Sequence, residues 1–231
     1  MVKDNILILP GRIDYADAVN AQEKAVNLVT AGILESVTFI LEHNHVYTAG
    51  IHYNGPFDNP KIIKTNRGGE VTYHGPGQVI MYPIINLEKH SMNVKDMVSA
   101  VQESVVSVLS EYGIMGQSRF GKETGVWVKS KKISSTGFHV SKSVTMHGIA
   151  LNVNTDLSYF QMIQPCGFPP EIMTSMKLLL GKEIDISEIN EKLWKVWSER
   201  ISIKDFSTIY SMNEFFKISE QLSETAPSGT G

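Results

Sequence analysis

Three β-rich runs follow one another at residues 125–128, 133–140 and 144–153, while clear helical stripes stand elsewhere in the chain. Helices and strands therefore mix without strict alternation. That order reads as one α/β (α+β) domain. The clearest helix is 93–112, where Val94, Met97, Val98, Val101, Val105, Val108, Leu109 and Tyr112 form one stripe and Gly113 ends it. A second spans 14–31, with Asp14 as cap, Tyr15, Ala18, Val19, Val26 and Val29 near helical spacing, and Gly32 as stop. A third spans 187–200, with Ile189, Leu193, Val196 and Trp197 inward. Trp194 and Trp197 read as packing. Strand-like runs stand at 5–9, 37–41 and 79–85, the last apolar enough to be central. The chain has 231 residues, ample for a buried core. No repeat or linker divides it. Residues 1–222 read as a single catalytic-sized domain, and the Ser/Thr/Pro/Gly-rich 223–231 as a disordered tail.

Charge narrows the function classes. Twenty-one basic residues against 24 acidic ones leave a net −3, so no global basic field points to nucleic acid. No apolar stretch approaches membrane-spanning length, and no leader is expected at the N-terminus. A single cysteine excludes an internal disulfide framework and fits a reducing, cytoplasmic setting.

Chemistry concentrates in a few segments. Residues 67–78 read Arg-Gly-Gly-Glu-Val-Thr-Tyr-His-Gly-Pro-Gly-Gln. Four glycines in twelve residues need positive φ or close backbone approach. A tight turn between strands would account for some of them. The length of the run and the presence of Arg67, Tyr73, His74 and Gln78 favour a site wall. Residues 116–123 nearly spell a phosphate loop, but Glu123 stands where a hydroxyl is needed and a strand follows, not a helix. His43 and His45 are two apart, too few for a metal site, so they read as polar lining of a strand end and no metal is expected.

Cys166 sits between Pro165 and Gly167. Lone cysteines are mostly small buried hydrophobes. A Pro-Cys-Gly turn is poorly suited to core packing, and Gly167 leaves room for a substrate. A catalytic thiol needs a cationic or proton-accepting neighbour. Lys132 is a candidate: strand alternation places it on one face with Ser134 and Thr136, with Ile133 on the other. A solvated lysine pair, Lys131 and Lys132, is the plainer alternative. His147-Gly148, inside an apolar strand, suggests another close backbone approach.

Taken together, 67–78, then 132–137 running into 147–153, then Pro165-Cys166-Gly167 resemble the lipoyl(octanoyl) transferases, which are octanoyl-[acyl carrier protein]:protein N-octanoyltransferases. The likeness runs from about Ile6 to about Arg200. The Leu41-Glu42-His43 run, with Val46-Tyr47-Thr48 and Gly50, is also similar. The resemblance implies a fold like the catalytic domain of biotin and lipoate protein ligases, with a larger and a smaller mixed sheet and flanking helices. It implies Cys166 as acyl-carrying nucleophile and Lys132 as its acid/base partner. It implies substrate contacts at Arg67, Gly68, Gly69, Glu70, Val71, Thr72, Tyr73 and His74, at Ser135, Thr136 and Gly137, and at Gly148, Ile149 and Ala150. Thr136 stands where the family usually has an aliphatic residue.

The same resemblance implies no cofactor. The donor would be octanoyl-acyl carrier protein. The acceptors would be lipoyl domains of 2-oxoacid dehydrogenase complexes or the glycine cleavage H protein. No nucleic acid and no membrane are expected as partners. Two alternatives differ in what they require. An ATP-dependent lipoate or biotin-type ligase on the same fold needs no cysteine, and a non-catalytic acyl-carrier or lipoyl-domain binding module needs the pocket but not both Cys166 and Lys132.

Overall fold

The computed structural model describes residues 4–57 and 60–224. In chain order these form β1 (Asn5–Ile8), β2 (Arg12–Ile13), α1 (Tyr15–Thr30), β3 (Ser36–His43), β4 (Val46–Ala49), β5 (Ile62–Lys64), β6 (Val71–His74), β7 (Gln78–Ile85) and α2 (Val94–Glu111). There follow β8 (Gln117–Arg119), β9 (Gly125–Val128), β10 (Lys131–Ser141), β11 (Val144–Asn152), α3 (Met176–Leu180), α4 (Ile186–Arg200), β12 (Ser207–Ile209) and α5 (Met212–Glu224). The larger sheet runs β12-β1-β3-β7-β11-β10-β9-β8, with β2 beside β3. The smaller is β5-β4-β6. The fold class is thus mixed α/β with a larger and a smaller sheet. No helix among the described residues is long and apolar enough to cross a membrane.

The two edges of the larger sheet differ. β1 pairs in parallel with β3 and β12, and the β1–β3 connection is made by way of α1. From β3 to β8 every pairing is antiparallel. β7 is buried along its whole length, as its apolar run requires.

Helices cover both faces. α2 is closed by a capping box in which Asn93 accepts from the Lys95 and Asp96 backbone N–H groups and Asp96 accepts from that of Asn93. Its Met97, Val101, Val105, Val108 and Leu109 pack with α4 onto Ile40, Met81, Ile149 and Leu151. On the opposite face α1 and α5 pack onto Phe39, Leu41, Ile80, Ile84 and Ala150. The buried stripe of α1 differs from the expected one. Ala21, Gln22, Ala25 and Leu28 face the sheet, whereas Val19 and Val26 are only half-buried. Alanines allow close approach of helix to sheet. Asp14 stands at the N-cap but makes no side-chain cap bond; its carboxylate accepts from Asn44 instead. α5 extends through Ser223 and Glu224, the first two residues of the expected tail. Residues 225–231 lie outside the described residues.

The glycine-rich run 67–78 is a loop, a strand and a turn in succession. Residues 67–69 form a loop, β6 follows, and Gly75–Gly77 lead directly into β7. It thus joins the smaller sheet to the centre of the larger one.

Candidate active site

Cross-strand register defines a bare strip on the α1 face. Opposite residues share a face. Gly125 pairs with Ser135, Ser135 with Ala150, and Ala150 with Ile80; one step along, Gly137 pairs with Gly148. This strip borders a cavity. Arg67, Gly68, Gly69, Thr72 and His74 line it from the smaller sheet and its loop; Ser135, Thr136, Gly137, Gly148, Ile149 and Ala150 line it from β10 and β11. Tyr15, Ile80, Tyr82 and His147 complete it.

The loop crosses β10 where side chains are absent. The Gly68 N–H donates to Phe138 O at 2.9 Å. A Cβ on Gly137 would lie 2.8 Å from Gly68 O. Arg67 ties the loop to β4, donating to Thr48 O at 2.7 Å and Thr48 Oγ1 at 3.0 Å. The far end opens because β7 carries Pro83, which has no N–H to offer. There Thr145 Oγ1 donates to Pro83 O and accepts from the Ile85 N–H. His147 adopts φ +63, and its N–H donates to Gln22 Oε1 at 2.8 Å.

Lys132 reaches this face by a register slip. Lys132 pairs with Trp127, yet Ser134 pairs with Val126, so β10 carries one extra residue at this point. Trp127 and Val126 face opposite ways, and so do Lys132 and Ser134. The expected shared face of Lys132, Ser134 and Thr136 is therefore corrected. Lys132 joins the α1-face strip, while Ser134 and Thr136 belong to rows with Leu151 and Ile149. The Lys132 side chain lies over Gly125, where a Cβ would be 2.7 Å from Lys132 Cε. Gly125 has φ +143, a conformation that glycine alone adopts readily. Lys132 is 1% exposed.

Cys166 lies in the 3-10 turn Pro165–Gly167, which is closed by Gly167 N–H to Gln164 O and Phe168 N–H to Pro165 O, both at 3.0 Å. The turn packs against β6. Gly167 has φ +74, a conformation that favours glycine, and a Cβ there would sit 2.9 Å from Glu70 Oε2. The segment after the turn is bonded to the start of β10. Thr174 N–H donates to Lys132 O at 2.9 Å, and Lys131 Nζ to Glu171 O at 2.6 Å. Trp127 lies beneath both, its ring centroid 5.8 Å from Lys132 Nζ and 5.8 Å from the edge-on Phe168 ring.

A buried polar chain connects the cavity with that segment. His74 Nδ1 bonds Gln78 Oε1 at 2.8 Å, Gln78 Nε2 donates to Asn152 Oδ1 at 2.9 Å, and Asn152 Nδ2 donates to Thr174 O at 3.0 Å. The acceptor oxygen of Gln78 makes His74 the Nδ1–H tautomer. Burial holds His74 well below the usual imidazole range, with His43 and Arg67 adding to the effect. Burial likewise lowers His43 to about 4 and, with Arg67 and His139, His147 to about 3. Burial raises the Tyr15 phenol to about 12, against the pull of Arg67 and Thr65. The imidazoles and the phenol of the wall are thus neutral, and Arg67 is the charged group beside them.

Three expected contacts lie elsewhere. Val71 and Tyr73 point into the core of the smaller sheet, and Tyr73 OH bonds His45 Nδ1 at 2.7 Å. Glu70 stands beside Gly167 rather than in the cavity wall. Alternation explains the split: in β6 only Thr72 and His74 share the cavity side. Of the four lining residues outside the expected set, His147 had a signal in its His-Gly step. Tyr15 had been assigned only to a helix stripe, and Ile80 and Tyr82 looked like ordinary strand core.

The mixed fold of a larger and a smaller sheet is shared with lipoate and biotin protein ligases. The chain belongs to the lipoyl protein ligase A/B catalytic domain family, which matches residues 14–198, and within it is an acyltransferase of the octanoyltransferase group. It is 41% identical over 201 residues to the probable octanoyltransferase 2 of Picrophilus torridus, covering 87% of this chain and 81% of that one. It is 42% identical over 194 residues to the octanoyltransferase of Solibacter usitatus, covering 79% and 86%. Among solved structures it resembles lipoate-protein ligase A bound with ATP, at TM-score 0.74 and 16% identity over 97% of this chain and 95% of that one. Biotin protein ligase from Aquifex aeolicus is similar at TM-score 0.51 and 20% identity, covering 96% and 78%.

Proposed function

We propose that the protein transfers an octanoyl or lipoyl group from an acyl carrier protein thioester to a lysine of a lipoyl domain, through a thioester on Cys166. The observation that carries this reading is the slip in β10, which turns Lys132 onto the cavity face next to the segment bearing Cys166. The octanoyltransferase names of relatives near 40% identity support the transfer itself. A solved structure with a similar fold comes from an archaeal lipoylation system, a bi-partite lipoate protein ligase and its E2 lipoyl domain from Thermoplasma acidophilum, which supports a lipoyl-domain acceptor.

The chemistry balances without nucleotide. The Cys166 sulfur attacks the carrier thioester carbonyl, with Lys132 taking the thiol proton. The carrier C–S bond breaks, and the carrier leaves as a thiol with that proton. In the second half the acceptor amine attacks the Cys166 thioester. An amide C–N bond forms, the C–S bond breaks, and the amine proton returns to the cysteine. Thioester exchange is nearly balanced and amide formation is downhill. Burying the six methylenes of octanoate contributes about 5 kcal/mol to holding the acyl chain.

Incubation with octanoyl-carrier followed by intact-mass measurement tests the reading. A hydroxylamine-sensitive octanoyl adduct on Cys166 is expected, with transfer to a lipoyl domain unchanged when ATP and magnesium are absent. The likeness to an ATP-bound ligase makes adenylate chemistry the second reading. Octanoylation from free acid and ATP that survives Cys166→Ala would establish it and overturn the first.

A further inference from the structure

Gln78 opens β7, Asn152 closes β11, and the two are cross-strand partners. Alternation puts them on the same face as Ile80 and Ala150, which line the cavity. Both amides are buried, yet neither residue lines the cavity itself. Their bonds run elsewhere. Gln78 Nε2 donates to Tyr73 O at 3.2 Å as well as to Asn152 Oδ1, and Asn152 Nδ2 donates to Thr174 O. The carbonyls of Tyr73 and Thr174 can only accept, so the two ends fix which amide atoms donate. Turned over, Asn152 would set oxygen against oxygen at Thr174 and nitrogen against nitrogen at Gln78. The pair therefore holds one arrangement.

Thr174 is where this pair meets the chemistry. The β10–β11 pairing starts at Ser134, two residues past Lys132. Beyond it, the Lys132 backbone is held by the segment that follows the Cys166 turn. Lys132 bridges to Met173 in parallel sense, and Lys132 O accepts from the Thr174 N–H. Met173 follows Cys166 by seven residues. Asn152 thus grips the residue that grips Lys132, on the same length of chain that carries Cys166. Replacing Asn152 by an apolar side chain would leave Thr174 O buried without this donor, a deficit the segment can relieve only by moving.

We infer that Asn152, oriented by Gln78, is a positioning residue that sets Lys132 against the Cys166 turn by way of Thr174. This rests on the acyl-transfer reading above, in which Lys132 takes the Cys166 proton. Asn152 acts through another residue and stays out of the cavity, so its effect falls on the reaction step and not on substrate binding.

The chain holds one cysteine, so alkylation by iodoacetamide reads Cys166 alone. The thiolate is the reacting form. The ratio of the rates at about pH 6.5 and about pH 10 follows thiolate content and cancels accessibility, which a loosened loop would change at both. Asn152→Leu should lower this ratio at least about fivefold. It should lower kcat for octanoyl transfer by about 10–100-fold, with KM for octanoyl-carrier near wild type, the scale of a misplaced reacting group. Lys132→Met, which keeps the stem and drops the charge, should lower the ratio at least as far. In that background Asn152→Leu should lower it no further, since the one acts through the other. Leu109→Ala, far from this network on α2, should leave the ratio unaltered. Glu70, which faces Gly167, and Lys131, bonded to Glu171 O, are the same in every variant and cancel in the comparison. A ratio that Lys132→Met lowers and Asn152→Leu does not overturns the inference alone. So does a further fall in the double variant, or an equal fall in Leu109→Ala. Lys132→Met without effect on the ratio would instead sink the proton-transfer reading, and the inference with it. If Asn152→Leu does not fold, Asn152→Ala takes its place.

Discussion

The two faces of the β10–β11 pair use the same strands to opposite ends. Towards α2 and α4 the rows end in Leu151, Ile149, Met81 and Ile40, all at or near zero exposure. Towards α1 the matching positions are Gly125, Ser135, Gly137, Gly148 and Ala150. The backbone is common to both. What differs is the side-chain volume that each face carries, so the pocket is a strip of a sheet from which side chains have been withheld. Protein interiors are otherwise filled to crystal-like density. A hollow on one face is stable here because the other face is packed, and because the one charged side chain in its wall among the described residues, Arg67, is hydrogen-bonded to Thr48.

The largest effect that separates the faces should come from the lysines. Lys132→Ala is expected to reduce transfer by more than about 1,000-fold, since positioned proton transfer and nucleophile activation supply factors of that order. Lys131→Ala should keep most activity, because Lys131 is exposed and its Nζ donates to Glu171 O. Steady-state transfer assays with both variants decide it, and the reverse pattern would show that the slip in β10 is misassigned. Gly125→Ala should reproduce much of the Lys132→Ala loss without touching the lysine. Its Cβ would collide with Lys132 Cε and Ser134 O, so about 100-fold in kcat/KM is expected, an extension of what misplacement of a reacting group by about 1 Å costs.

The packed face should respond in the opposite sense. Leu109→Ala removes a fully buried side chain from α2 and should lower stability by about 2–5 kcal/mol in urea titrations. Activity per folded molecule should stay near wild type. A large kcat loss in the folded variant would mean that the two faces are coupled.

Acid should find the hollow face first. His43 and His147 titrate near 4 and 3 in the fold but near 6.5 when unfolded. Between those values the unfolded chain binds more protons, so stability falls as pH drops below about 6.5 and continues to fall towards 4. From pH 6.5 to 5.5 the two groups together should cost about 2 kcal/mol. Unfolding midpoints across that interval measure the slope, to which His74 also adds because burial holds it well below the usual imidazole range, and His43→Gln should remove about 1 kcal/mol of it. A slope unchanged by His43→Gln would place the acid sensitivity elsewhere.

Much of this comparison could be read from the residues. α2, α4, β7, β9 and β11 follow from periodicity and composition. The glycine-rich 67–78 run and the Pro-Cys-Gly turn marked the site by composition, since clustered glycines imply close backbone approach. The smaller sheet was not legible, because β4, β5 and β6 span three or four residues and carry no lasting period. Strand parity misled at Lys132, because one extra residue inverts every side chain that precedes it. Nothing in Lys-Lys-Ile-Ser announces a bulge; Gly125 on the neighbouring strand does, once the pairing is known. Tyr15 and His147 are 132 positions apart and come to one cavity wall only in three dimensions, so nothing in the sequence joins them.

The slip in β10 also decides which kinds of genetic change the site can survive. Substitutions near it alter one side chain at a time. A one-residue deletion between Lys129 and Ser134 would instead rephase the hairpin and present a different residue to the pocket, with every original amino acid still in place beyond the gap. The length of this hairpin is therefore under tighter constraint than most of its letters, and a substitution scan of the segment would never reveal it.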